Sequence, residues 1–305
     1  MRYPMIQLFL RPVSSGLALG LLTLAGCAAP LTEGPSRAPV QASAPSGTSS
    51  SNALLLATLY CNTSAEYAAA CLSTYRAAEL QLPALLQDVG HTGALEQAGV
   101  FSSFPTAIVL DVDETVLDNS PSEVRLIQTG TSYPEGWDAW CMEGQARPVP
   151  GALEFTNRAA ELGVTVFYVT NRKAHLKAAT LQNLIDQGFP MKANVDTLFM
   201  RGDRPEWQSD KTNRREAIAA EYRIVMLFGD NTGDFLGLDQ AQGTAAERLS
   251  AVEDQSQRWG RSWFMLPNPM YGYWDGAALG YDYNRPTDEI NALRLDAMDA
   301  GTQRQ

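Results

Sequence analysis

Five continuous apolar runs of strand length, at residues 106–111, 164–170, 197–200, 224–229 and 262–266, constrain the fold of this chain more than any other feature. Runs without polar alternation suit strands covered on both faces, as in a parallel sheet. Stretches with helical spacing follow at 151–162, 173–187, 211–221 and 245–259. Strand and helix alternate, so the expected fold is α/β with a doubly wound parallel sheet. A helix over 64–82, with Tyr67, Ala70, Cys71, Tyr75 and Ala78 on its spacing and Thr63 or Ser64 as cap, opens the folded region. Residues 118–150 are Trp-rich and show no strand pattern. With 53–104 they form a smaller, mainly helical accessory or lid region of a domain over 53–305.

Open parallel sheets bind ligands beyond the carboxyl ends of their strands. The first run ends there in Asp111-Val112-Asp113-Glu114-Thr115. On an extended strand, residues i and i+2 share one side, about 6.5 to 7 Å apart. Asp111 and Asp113 can then face one reaction centre, one attacking while the other handles protons. Alone the pentapeptide is weak, because an acidic turn with Asp113 or Asp118 capping a helix has the same sequence.

Three further elements raise its value. Thr170-Asn171-Arg172 ends the second run with a hydroxyl and an amide able to bond phosphoryl oxygens. Lys211, after Asp210 at a helix start, can neutralise charge on a transferring group. Gly229-Asp230-Asn231-Thr232-Gly233-Asp234 places two carboxylates on a Gly-containing loop, which suits a hard cation that prefers oxygen ligands. Each could be an ordinary turn; their order along the sheet makes them one site.

At the N-terminus, residues 1–26 read as an export signal, with Arg2 and Arg11 ahead of a Leu- and Ala-rich run. That run, from Val13 to Ala25, is shorter than the ~20 residues a spanning helix needs. Leu24-Ala25-Gly26-Cys27 resembles a bacterial lipobox, which implies cleavage before Cys27 and acylation of that cysteine. Residues 27–52, rich in Ser, Pro, Ala and Thr, fit a flexible tether. Ala28 is not the Asp of an inner-membrane retention signal, so outer-membrane anchoring through lipid, on an extracytoplasmic side, is expected. Loss of Arg2 and Arg11 takes the net charge from −11 to −13. Such a chain lacks the broad basic face that a nucleic-acid polymer requires, and any anionic substrate must be attracted locally.

Three cysteines follow the lipobox: Cys61, Cys71 and Cys141. On one helix the first two would stand ~15 Å apart, beyond the roughly 7 Å between Cα atoms that a disulfide spans. Either Cys61 folds back ahead of the helix, or all three are buried apolar thiols. His91 and His175 are the only histidines and no CxxC occurs, which argues against zinc.

From residue 58 to the last helix the chain resembles the haloacid dehalogenase superfamily and, within it, the class C nonspecific acid phosphatases, lipoproteins of bacterial outer membranes. The resemblance rests on Asp111-Val-Asp-Glu-Thr-Val-Leu-Asp-Asn-Ser-Pro121, Val149-Pro-Gly-Ala-Leu-Glu-Phe155, Phe167-Tyr-Val-Thr-Asn-Arg-Lys173, Asp210-Lys211, Gly229-Asp-Asn231 and Leu266-Pro-Asn-Pro-Met-Tyr-Gly272. It implies a phosphomonoesterase that uses Mg²⁺ and forms a phosphoaspartate. Asp111 would be nucleophile and metal ligand, and Asp113 the general acid and base that lends its backbone carbonyl to the metal. Asp230 would be the third protein ligand, with Asp234 orienting a metal water. Thr170, Asn171 and Lys211 would bind the phosphoryl group. Trp137 and Tyr271 match the aromatics that sandwich a nucleobase in members acting as nucleotidases, which makes nucleoside monophosphates the first substrate expectation.

An acidic optimum follows, since Asp113 must begin the cycle protonated. The stretch 201–209 looks longer than the family's approach to its lysine. The Trp-rich insert can serve a homodimer as well as a lid. A binding or adhesion lipoprotein on a catalytically silent version of this fold is the alternative, and it would be marked by loss of the nucleophile or a metal carboxylate. Both are present.

Overall fold

Ala107, Ile108, Val109 and Leu110 are consecutive and all buried, which requires packing on both sides of the strand that holds them. That strand is β1 (Thr106–Leu110) in the computed structural model, which describes residues 51–299. The expected signal peptide, Cys27 and nearly all of the tether lie outside the described residues.

Helices α1 (Ser51–Thr63) and α2 (Ala65–Gln87) precede β1. After it come β2 (Leu117–Asp118), α3 (Ser120–Thr129), α4 (Trp137–Glu143), β3 (Arg147–Pro148) and α5 (Ala152–Glu161). The chain then alternates through β4 (Thr165–Lys173), α6 (Lys177–Asp186), β5 (Leu198–Arg201), α7 (Thr212–Ala219) and β6 (Arg223–Gly229). It finishes with α8 (Leu238–Ala241), α9 (Ala245–Asp254), β7 (Trp263–Met265), α10 (Tyr273–Leu279) and α11 (Thr287–Asp296).

The main sheet has the order β5-β4-β1-β6-β7 and every pair in it is parallel. Leu110 lies opposite Tyr168 on one side and Phe228 on the other. From β1 the chain winds out to β4 and β5, then crosses to β6 and β7. The winding reverses at β1, so a crevice opens at its carboxyl end.

Ile108 and Leu110 face one core with Tyr75, Phe155 and Phe228, whereas Ala107 and Val109 face another with Ile218, Phe235 and Trp263. The doubly wound expectation is met. Helix α2 forms because Ser64 accepts a 3.0 Å bond from Tyr67 N and because Tyr67, Cys71, Tyr75, Ala78, Leu82 and Leu85 fall on one buried stripe. Tyr75 stacks on Phe228 at 5.7 Å, and burying each such ring contributes about 1.5 to 3 kcal/mol.

Several local expectations are corrected. Residues 118–150 carry no strand pattern, yet their two ends are closed by a short antiparallel pair, Leu117 with Pro148 and Asp118 with Arg147. Strands this short leave no periodicity to read. Helix α1 also went unread, since its run of Ala and Leu has no polar face to mark a period. The opening helix continues past Pro83 to Gln87. Strand β4 runs through Thr170, Asn171 and Arg172 to Lys173, so the following helix starts late, after a 3-10 turn at Ala174–Leu176. Helix α9 stops at Asp254, and Trp259 turns inward against Phe235 and Trp263. Cys61, Cys71 and Cys141 are buried free thiols, and burial pushes the Cys71 thiol up to about 11. Among the described residues no helix is long and apolar enough to cross a membrane.

Candidate active site

β1 ends one residue before the first carboxylate. Asp111 N still donates to Phe228 O at 3.0 Å, but the chain then closes a tight loop. Val116 N and Leu117 N both donate to Val112 O, at 3.0 and 2.9 Å, and Glu114 takes a left-handed φ of 57°. Tyr75 of α2 pins this loop from below, its hydroxyl donating to Thr115 O at 2.7 Å. Asp111 and Asp113 therefore lie past the regular strand, on a loop and not on its pleat. The loop sends them to different partners.

Asp111 faces Asp230 and Asp234, and one oxygen from each of the three lies within 4.8 Å of the others. The ammonium of Lys211, at the start of α7, contacts Asp111 and sits 2.6 Å from Asp234. Burial, opposed by Lys211 and reinforced by Asp234 and Asp113, pushes the Asp111 carboxyl up to about 7. Burial followed by repulsion from Asp234 and Asp111 holds Asp230 well above the usual range. Burial alone would depress Lys211, but the two carboxylates outweigh it and keep the ammonium charged.

The turn after β6 makes this cluster possible. A Cβ on Gly229 would stand 2.2 Å from Asp234 Oδ2, so only glycine lets that carboxylate fold back. Asn231 N then donates to Asp234 Oδ2 at 3.0 Å. Arg215, buried and paired with Glu96 at 2.6 Å, gathers the carbonyls of Asp234 and Leu236 at 3.1 and 3.3 Å. Asn268 donates to Asp230 Oδ2 at 2.8 Å. Three carboxylates against one ammonium leave a negative surplus in a buried place, and every donor is oxygen. That set fits a hard divalent cation such as Mg²⁺ and offers nothing for a thiophilic one.

Asp113 occupies the other side of the crevice. It accepts from Thr170 Oγ1 at 3.1 Å, Asn119 Nδ2 at 2.9 Å and Arg172 Nε at 2.9 Å. Arg172 is buried, and its Nη2 bonds Asn119 Oδ1 at 3.0 Å while its guanidinium lies 5.6 Å from the Trp137 ring centre. Trp140 Nε1 donates to the same Asn119 oxygen at 2.8 Å. Helix α4 of the accessory region is thereby tied to the Asp113 carboxylate.

The remaining expected residues are placed as follows. Thr170 Oγ1 donates to Asp113 and accepts from Arg172 N at 3.0 Å. The Asn171 side chain donates to Ser209 O at 3.0 Å and accepts from Arg214 at 2.6 Å. Arg214 is fully buried and also holds Thr170 O at 2.6 Å. Trp137 begins α4, edge-on to Tyr133 at 6.1 Å, and Tyr271 lies on the loop after β7. Arg214, Asn119 and Asn268 were missed by sequence reasoning. Arg214 lay within reach of it, one helical turn beyond Lys211, whereas the two asparagines carry no spacing signal.

The sequence pattern of the HAD superfamily, subfamily IIIB (Acid phosphatase), matches residues 65–274. The chain belongs to this acid phosphatase subfamily. The match begins at the first residue of α2 and reaches α10, so every residue of the crevice falls inside it. The class C acid phosphatase from Bacillus anthracis is 33% identical, with a TM-score of 0.71, over 82% of this chain and 98% of that one. Its tungstate-bound crystal structure superposes with a TM-score of 0.72 at the same identity and coverage. Acid phosphatase 1 of Solanum lycopersicum is 31% identical over 169 residues, 53% of this chain and 57% of that protein. The class B acid phosphatase of Proteus mirabilis is 22% identical over 163 residues, 50% of this chain and 66% of that protein. This chain thus spans only part of the length of these two sequence relatives. Subfamily membership and the parallel sheet agree with the fold and family expected from the motifs.

Proposed function

We propose that this subfamily IIIB acid phosphatase hydrolyses phosphomonoesters, nucleoside monophosphates among them, with Mg²⁺ as cofactor and a phosphoaspartate on Asp111 as intermediate. The observation that carries the proposal is the division of labour at the end of β1. Asp111 lies with Lys211 beside Asp230 and Asp234, while Asp113 stands apart with Thr170 and Arg172. Every carboxylate expected of the site is present, and three of them are gathered, which disfavours a silent binding lipoprotein.

In the proposed cycle a carboxylate oxygen of Asp111 attacks phosphorus in line, the bond to the leaving oxygen breaks, and Asp113 gives that oxygen its proton. Asp113, now ionised, takes a proton from water as the water attacks phosphorus and the bond to Asp111 breaks. Inorganic phosphate leaves and Asp113 is protonated again. Lys211 neutralises the phosphoryl oxygens throughout. Asp111 and Asp230, with the Asp113 backbone carbonyl, would hold Mg²⁺, and Asp234 would orient one of its waters; the ion would supply positive charge to the transferring group. Trp137 and Tyr271 would take the nucleobase. An acidic optimum is expected because the first step requires Asp113 to carry a proton. The tungstate bound by the Bacillus relative is an oxyanion with the tetrahedral shape of phosphate, and it supports an oxyanion site in this family.

The same proposal places the domain outside the cytoplasm, anchored to the outer membrane through an acylated Cys27. A purified-protein panel of nucleoside monophosphates, sugar phosphates and a small aryl phosphate, at acidic pH with and without chelator, tests the catalytic part. Hydrolysis that requires Mg²⁺ and favours nucleotides is expected. Full turnover in chelator would refute the metal assignment, and equal rates on all monoesters would refute the nucleotide preference.

A further inference from the structure

The loop after β7 joins two parts of the site that the motifs treat separately. We propose that Asn268 is a positioning residue that couples cation binding at Asp230 to leaving-group binding at Tyr271, an inference that rests on the roles proposed above for those two residues. Asn268 is 9% exposed. Its amide nitrogen donates to Asp230 Oδ2 at 2.8 Å. Its amide oxygen accepts from Met270 N at 3.0 Å and Tyr271 N at 3.5 Å. One planar group thus fixes a carboxylate on one side and the backbone of an aromatic on the other.

Independent contacts lock the same two segments together. Trp274 Nε1 lies 3.2 Å from both Asn268 O and Tyr271 O, closing the aromatic loop on itself. Gly272 packs so closely that a Cβ there would stand 3.1 Å from Asn231 Nδ2 and 2.8 Å from the Trp274 ring. A Cβ on Gly233 would come within 2.9 Å of the Tyr273 ring. The turn that bears Asp230 and the loop that bears Tyr271 therefore pack against each other, with Asn268 as the hydrogen-bonded link between them. Asp230 has few other fixed donors, the nearest being Thr115 Oγ1 at 3.5 Å. A cation that fixes Asp230 will fix Asn268 and, through it, Tyr271.

The consequence is a reciprocal linkage: a neutral leaving group and the cation should each tighten the other by the same factor. Adenosine suits the test, because it has no charge through which to feel Mg²⁺ directly. Calorimetric titration of Mg²⁺ into chelator-stripped protein, with and without saturating adenosine, should show about fivefold tighter Mg²⁺ binding in its presence. In Asn268→Ala that factor should fall to unity, and Mg²⁺ affinity itself should weaken by about tenfold, as for other residues that orient metal ligands. Tyr271→Ala should weaken adenosine and leave Mg²⁺ affinity unchanged. Wild-type protein that binds both ligands with no mutual effect, or Asn268→Ala protein that keeps the factor, would overturn the coupling alone. Wild-type protein that fails to bind Mg²⁺ or adenosine would overturn the underlying functional reading and the coupling with it.

Discussion

Replacing Asp111 with Asn should abolish hydrolysis while making the metal-free protein more stable at neutral and alkaline pH. In the fold this carboxyl sits at about 7, against an ordinary 3.8, chiefly through burial. A carboxyl raised in this way binds its proton more tightly folded than unfolded. Its contribution is therefore complete below the unfolded value and is lost as pH rises through the folded one. Each unit is worth about 1.36 kcal/mol, so ionising Asp111 costs the metal-free fold up to about 4 kcal/mol near pH 8. Asparagine carries no such charge and incurs no such loss, and Lys211 keeps Asp234 as its partner at 2.6 Å. Glu123, which burial also raises to about 7, is common to both proteins and cancels in the comparison. The gap between variant and wild type should be small near pH 4 and reach about 10 °C in unfolding midpoint near pH 8. Added Mg²⁺ should close or reverse it, because the wild type regains a ligand set that the variant lacks. Thermal unfolding across that pH range, in chelator and in magnesium, measures the effect. A gap that is absent at the alkaline end, or equal at both ends, would refute the electrostatic account of the cluster.

Lys211→Met leaves Asp111 and Asp234 facing each other unpaired, so the metal-free fold should lose about 3 to 5 kcal/mol. Its kcat should fall by a factor of about 100 to 1,000, read from initial rates at saturating Mg²⁺. Gly229→Ala forces a methyl into Asp234 and should lower stability by about 1 to 3 kcal/mol in chemical denaturation, together with Mg²⁺ affinity in calorimetry. Trp137→Ala should raise KM for nucleoside monophosphates by about two- to tenfold and leave KM for a sugar phosphate unchanged, since one stacked aromatic is worth about 0.5 to 1.5 kcal/mol.

The sheet was legible because its strands are buried on both faces and so appear as unbroken apolar runs, with β1 recognisable by the acids that end it. Asp111, Asp113, Lys211 and Asp230 were legible by residue type and order, and all four line the same crevice. That Asp111 and Asp113 take different partners was not, because it depends on a left-handed Glu114 and a backbone loop that no side-chain period reports. Asn171 illustrates a second limit. Its amide is held by Arg214 and Ser209, partners that only folding brings within reach. Asn119 and Asn268 act through partners brought close only by folding, and α1 lacked the polar face from which a helical period is read.

Phosphoryl transfer to Asp111 is the central claim, and it can be observed directly. Rapid acid quench of wild-type protein turning over a phosphorus-labelled monoester should leave label on the peptide that contains Asp111, and Asp111→Asn should leave none. Steady turnover with no label on that peptide, or label retained by the variant, would contradict it.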